Sequence, residues 1–143
     1  MATHVDVKHA RRIMGRLGHG KDLLDEITAV ATAEGVTLGR VEGLGAVTRA
    51  RLGYYNQEER EYEFHEIDEP LEITALVGNV SLKDGKPMVH AHVTLADREG
   101  RAFGGHLAPG TVVFACEFTM QALDGAELNR THDDPTGLPL WEM

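Results

Sequence analysis

Beyond residue 36 the chain offers no second amphipathic helix; its apolar patterns as far as residue 123 alternate, or run short enough to be strands. This restricts the topology more than any other feature, because parallel strands need long crossovers, usually helical, whereas antiparallel strands need only turns. The one helix is read over residues 22–34. There Leu23, Leu24, Ile27, Val30 and Ala31 fall at i, i+1, i+4, i+7 and i+8, acidic residues occupy the first turn, and Gly35 ends the run. Before it, residues 3–17 read as a first strand ending in Gly18-His19-Gly20. After it, strands are expected at residues 36–44, 47–55, 61–67, 71–82, 88–96, 101–107 and 111–123, separated by turn-like segments such as Asn56-Gln57-Glu58-Glu59, Asp68-Glu69-Pro70 and Ala108-Pro109-Gly110. The expectation is an α+β fold, a mostly antiparallel sheet of about seven strands with one main helix.

At 143 residues and 42% apolar content the chain suits one domain over residues 1–143. In the tail, residues 129–143, proline and glycine argue against a regular element. Leu138-Pro139-Leu140-Trp141 is expected to pack on the body or on a neighbouring subunit, since an exposed apolar tail invites aggregation. No apolar run reaches eighteen residues and the N-terminus lacks a hydrophobic signal region, so no membrane association is expected and a cytoplasmic location is. The formal net charge of −9 repels phosphate backbones and disfavours nucleic acid as a direct partner. Lys8, Arg11, Arg12, Arg16 and Lys21 form the one basic concentration, read as a solvated edge.

Cys116 is the sole cysteine, which excludes an internal disulfide and any cysteine-rich zinc motif. Metal chemistry must then rest on histidine and carboxylate, and three of the eight histidines lie close together: His90 and His92 in Val89-His90-Ala91-His92-Val93, and His106 in Gly104-Gly105-His106-Leu107. Side chains alternate along a strand, so His90 and His92 share a face. If the intervening hairpin loop is Arg98-Glu99-Gly100, His92 faces His106 directly and His90 lies diagonally, about 7–8 Å away. A four-residue loop starting at Asp97 would turn His106 to the other face unless a bulge at Gly104-Gly105 restored it. Three neutral imidazoles suit zinc, or another divalent transition metal such as nickel, iron or cobalt, with the remaining position open to water or a small-molecule ligand.

An open position is also what a metal-dependent hydrolase needs, together with a proton-handling group. Glu42, Glu117 and Asp97 qualify by type alone, and nothing in the sequence establishes catalysis. Cys116 could close the site as a fourth ligand, but Phe114-Ala115-Cys116-Glu117-Phe118 reads better as a buried core thiol. Gly43-Leu44-Gly45-Ala46 imitates a dinucleotide fingerprint without its third glycine or following helix, and is read as a tight turn between strands. Tyr54 and Tyr55 are read as edge or interface residues. His4, His9, His19, His65 and His132 have no partner in spacing.

In order along the chain, Gly18-His19-Gly20-Lys21-Asp22-Leu23-Leu24, Gly43-Leu44-Gly45-Ala46-Val47, Arg51-Leu52-Gly53-Tyr54-Tyr55-Asn56, Leu71-Glu72-Ile73-Thr74-Ala75-Leu76-Val77-Gly78-Asn79-Val80, His90-Ala91-His92-Val93-Thr94-Leu95-Ala96-Asp97 and Gly104-Gly105-His106-Leu107 are found. Together they resemble the PPC domain, the plants-and-prokaryotes-conserved family, over nearly the whole chain, in the form of a free-standing prokaryotic member. The resemblance implies a compact α+β fold assembling as a homotrimer. It also implies a metal site at His90, His92 and His106, because prokaryotic members carry the His-x-His and Gly-Gly-His elements. Plant relatives join the domain to AT-hooks that bind A·T-rich DNA, which makes a DNA-binding or transcription-associated regulatory protein the alternative. An AT-hook needs an Arg-Gly-Arg-Pro core, and here Gly39-Arg40 runs on into Val41-Glu42.

Overall fold

In the computed structural model, which describes residues 2–143, the described residues form one α-helix and nine strands. They are β1 (Val7–Arg16), α1 (Leu23–Ala33), β2 (Gly39–Asn56), β3 (Glu61–Ile67), β4 (Leu71–Lys83), β5 (Lys86–Ala96), β6 (Ala102–Leu107), β7 (Val112–Gly125), β8 (Arg130–Asp133) and β9 (Leu138–Trp141). The main sheet runs β1-β7-β2-β4-β5-β6 with β3 also on β2, and every pairing is antiparallel. β6 returns to β2 through Leu52↔Leu107 and Gly53↔His106, so β2, β4, β5 and β6 close on themselves.

The helix begins where its sequence directs. Asp22 caps it, Oδ1 accepting from the Leu24 and Asp25 N–H groups at 3.0 and 3.1 Å. The same carboxylate accepts from Gly110 N–H at 2.6 Å and ties the helix start to the loop before β7. Leu23, Ile27 and Ala31 are fully buried with the inward face of β5, namely Val89, Ala91, Val93 and Leu95. Burying Leu23 and Ile27 contributes about 1.5–3 kcal/mol each. Cys116 belongs to this core, and burial pushes its thiol up to about 11.

Two local expectations fail, for identifiable reasons. Residues 36–55 are not two strands joined by a turn: β2 runs unbroken through Gly43-Leu44-Gly45-Ala46, and its register against β4 shifts between Gly43 and Gly45. A bulge thus occupies the place assigned to a turn, bending β2 so that its first half pairs with β4 and β7 and its second with β3 and β6. The tail does form a regular element, the β8–β9 hairpin. Pro139 sits in a two-stranded sheet whose far edge has no ladder to complete, and Gly137 (φ +74°) makes the turn.

The β5–β6 hairpin has the three-residue loop, with Asp97 N–H bonded to the Arg101 carbonyl and Gly100 at φ +78°. Asp97 holds it: Oδ1 accepts from the Glu99 and Arg101 N–H groups, both at 2.9 Å, and Oδ2 from Arg101 Nε at 2.6 Å. Burial alone would raise the carboxyl's pKa, yet the bonds from Arg101 and Glu99 hold it below the ordinary 3.8. A depressed folded-state value gives stability that is present at neutral pH and lost as pH falls below about 4. Asp97→Ala is therefore expected to melt earlier than the wild type at pH 7, by a margin that shrinks towards pH 3. Equal margins at both pH values in thermal unfolding would exclude this role for the carboxylate.

Candidate metal centre

Alternation along β5 sends Val89, Ala91 and Val93 into the core and leaves His90 and His92 on the opposite, outer face. In the β5–β6 register His92 stands directly across from His106. The three rings converge, with centroid separations of 5.2 Å (His90–His92), 5.1 Å (His90–His106) and 5.7 Å (His92–His106). One ring nitrogen from each lies within 4.8 Å of the others. His90 and His106 are half-buried and His92 is exposed, so the cluster opens outward on one side.

Its electrostatics favour uncharged rings at His90 and His106. Burial, then the proximity of His106, Arg130 and His92, brings His90 down to about 4; burial and His92 lower His106 as well. At neutral pH these two imidazoles keep a nitrogen lone pair free, the form a metal binds. Nδ1 of His106 is buried with no hydrogen-bond partner, an unsatisfied polar atom whose cost a bound group would relieve.

The surroundings come from distant segments. Tyr62 of β3 packs on His106 with ring centroids 4.7 Å apart, and burial raises its phenol pKa, keeping it protonated at neutral pH. This approach depends on Gly53, where a Cβ would meet Tyr62 Cδ1 at 3.1 Å, Phe64 Cε1 at 3.2 Å and His106 Cβ at 3.4 Å. Asn79 of β4 faces His90 across the strand pair. Its Oδ1 accepts from Nη2 of Arg130 at 2.7 Å, which brings β8 to the margin of the site. The hairpin is held on its other side by Tyr55, whose hydroxyl donates to the Thr136 carbonyl at 2.7 Å, and by Arg60, which donates to the Asp134 carbonyl at 3.1 Å.

None of the acidic groups singled out by type stands at the histidines. Asp97 is committed to its loop. Glu42 pairs with Arg40 at 2.6 Å on β2, and β4 lies between that strand and β5, a separation of about 10 Å. Glu117 and Cys116 lie on β7, farther still, and Cys116 points into the core. Tyr54 is exposed, whereas Tyr55 is engaged with the tail. Nδ1 of His19 lies 2.8 Å from the Phe114 carbonyl. Three of the basic residues of β1 face acidic ones: Arg11 pairs with Glu34 at 3.0 Å, Lys8 stands across from Asp124 and Arg16 across from Glu117, whereas Arg12 stands across from Gln121. Asn79, Tyr62 and Arg130 were not singled out from the sequence. Asn79 becomes visible once β4 is registered on β5; Tyr62 and Arg130 carry no local signal.

The family model described as the Plants and Prokaryotes Conserved (PCC) domain matches residues 5–124. A solved metal-containing protein of Archaeoglobus fulgidus is 40% identical, with a TM-score of 0.94 over 99% of this chain and 100% of that one. A plant- and prokaryote-conserved protein of Pyrococcus horikoshii is 37% identical, with a TM-score of 0.91 over 100% of this chain and 98% of that one. A protein of Ralstonia eutropha described as a candidate DNA-binding protein is 26% identical, with a TM-score of 0.80 over 91% of this chain and 90% of that one. Among curated proteins, a Synechococcus protein named bifunctional protein GlmU is 33% identical over 124 residues. Those residues make up 85% of this chain but only 18% of that protein, so the chain spans less than a fifth of its length.

Proposed function

Because the chain belongs to the Plants and Prokaryotes Conserved domain family, we propose that it is a homotrimeric metal-binding protein whose centre is His90, His92 and His106. The observation that carries this reading is the convergence of three imidazole nitrogens within 4.8 Å on two paired strands. The donor set fits the group: three imidazole nitrogens, with no thiolate or carboxylate in the cluster among the described residues, suit zinc, with nickel, iron or cobalt able to replace it. The unpartnered His106 Nδ1 fits as well. A metal-containing relative at 40% identity supports the assignment. When bound, the ion would supply Lewis acidity at an open position for water or a small ligand.

Self-association is supported by the outer face of the sheet, where Met14 and Leu44 are 78% and 59% exposed. Apolar side chains in such a position are what a second copy of the chain would cover. Protein purified without a histidine tag is expected to contain about one metal per chain by elemental analysis, and to scatter light as three times 15.7 kDa. A preparation with no stoichiometric metal, recovered without chelators, would sink the metal reading.

Among the described residues no helix is long and apolar enough to cross a membrane. DNA association is the second reading, favoured by the description of the Ralstonia protein. The net charge of −9 opposes it. A salt-sensitive shift of an A·T-rich duplex at low ionic strength would revive it.

A further inference from the structure

Arg130 is only 9% exposed, and among the described residues no carboxylate oxygen lies within 4.0 Å of its guanidinium. Its bonds go to neutral acceptors: Nε donates to Ser81 Oγ at 2.9 Å, Nη1 to the Pro139 carbonyl at 3.0 Å and Nη2 to Asn79 Oδ1 at 2.7 Å. A guanidinium carries five N–H donors, so two are left over. A buried cation without a counter-ion is costly. The Trp141 ring, 5.6 Å from Cζ, offsets only part of that. Fastening β8 to β4 needs donors but no charge, since a neutral amide could serve Ser81 and Asn79. The charge therefore calls for another account.

Its position supplies one. Asn79, the residue Arg130 bonds, faces His90. The open depression beside the histidines, about 500 Å³, is lined by Arg40, Val77, Gly78, Asn79, His90 and His92. Arg40 is paired with Glu42, so Arg130, bonded to the lining Asn79, is the guanidinium at its margin that no carboxylate among the described residues meets. A divalent ion on neutral imidazoles would add two positive charges to this place, in a chain whose net charge is −9. A divalent ion beside a guanidinium without a carboxylate partner attracts an anion.

We propose that the ligand completing the centre is a small oxyanion, a carboxylate or a phosphate, and that Arg130 is the positioning residue that matches its negative charge. This rests on the three-histidine metal reading. The test uses the full chain loaded with cobalt(II), whose visible absorption reports coordination directly. Oxalate and inorganic phosphate are titrated separately, with oxamide as the uncharged counterpart of oxalate. One of the two anions is expected to change the spectrum saturably, the responding one naming the class, while oxamide leaves it unchanged. Arg130→Gln should weaken anion binding at least about tenfold while cobalt is still bound, and Arg130→Lys should restore most of it. Equal responses to oxalate and oxamide in the wild-type protein would overturn the inference, whether or not the variants fold. So would cobalt uptake with no response to either anion, or undiminished binding by Arg130→Gln. Failure to take up cobalt at all would overturn the metal reading itself.

Discussion

Replacing His92 with alanine is expected to reduce the metal content from about one per chain to near zero while leaving the metal-free protein almost as stable as before. The two halves of this outcome have different causes. His92 is exposed on the outer face of β5, so truncation leaves no buried cavity. A surface change of this kind costs within about 0.5 kcal/mol. Its nitrogen, however, is one of only three that converge, and two imidazoles on one site bind a divalent ion far more weakly. Ligand binding stabilises the folded state by RT ln(1 + [L]/Kd), about 2.7 kcal/mol at a hundredfold excess over Kd. Added zinc should accordingly raise the melting temperature of the wild type and leave His92→Ala unmoved. Thermal unfolding with and without metal, paired with elemental analysis, measures both. Stoichiometric metal retained by the variant would remove His92 from the centre.

The hairpin that unites these histidines shows what could be read from the chain beforehand. Alternation alone put His90 and His92 on one face, and the Asp97-to-Arg101 segment contained both the capping carboxylate and the positive-φ glycine that the three-residue loop uses. A four-residue loop was equally compatible with the sequence. What decides between them is the double use of Asp97 Oδ1, a contact geometry that no residue pattern expresses. The helix was legible because its signals are local: a capping aspartate, an apolar stripe and a terminal glycine. The rim was not. Tyr62 reaches His106 only because β6 closes onto β2 at Gly53, and Arg130 reaches Asn79 only because β8 docks on β4. Both are contacts between segments more than forty residues apart, set by the closure of the sheet. The tail misled for the opposite reason, since proline and glycine forbid a central strand yet are tolerated in an isolated hairpin.

Gly45→Ala is expected to be the most destabilising single-methyl change in the chain. At φ +145° this residue occupies backbone space that L side chains rarely adopt, and an added Cβ would lie 2.1 Å from the Ala115 carbonyl oxygen and 2.8 Å from Cys116 Cα. Both obstacles are backbone atoms of the paired strand, so no rotamer change relieves them; β2 and β7 would have to separate. Strain of this kind costs about 3 kcal/mol or more, a large share of the 5–15 kcal/mol that holds a typical domain together. The damage should extend to the centre, because the bulge at Gly45 is what turns the second half of β2 towards β6, where Gly53 meets His106. Gly20→Ala is the control: φ is +76° there, but nothing lies within 4 Å of the added carbon, so only the backbone preference is lost, about 1 kcal/mol. Urea unfolding of the two variants separates steric approach from backbone strain. Similar midpoints for both would mean that close packing of β2 on β7 is not why glycine stands at position 45.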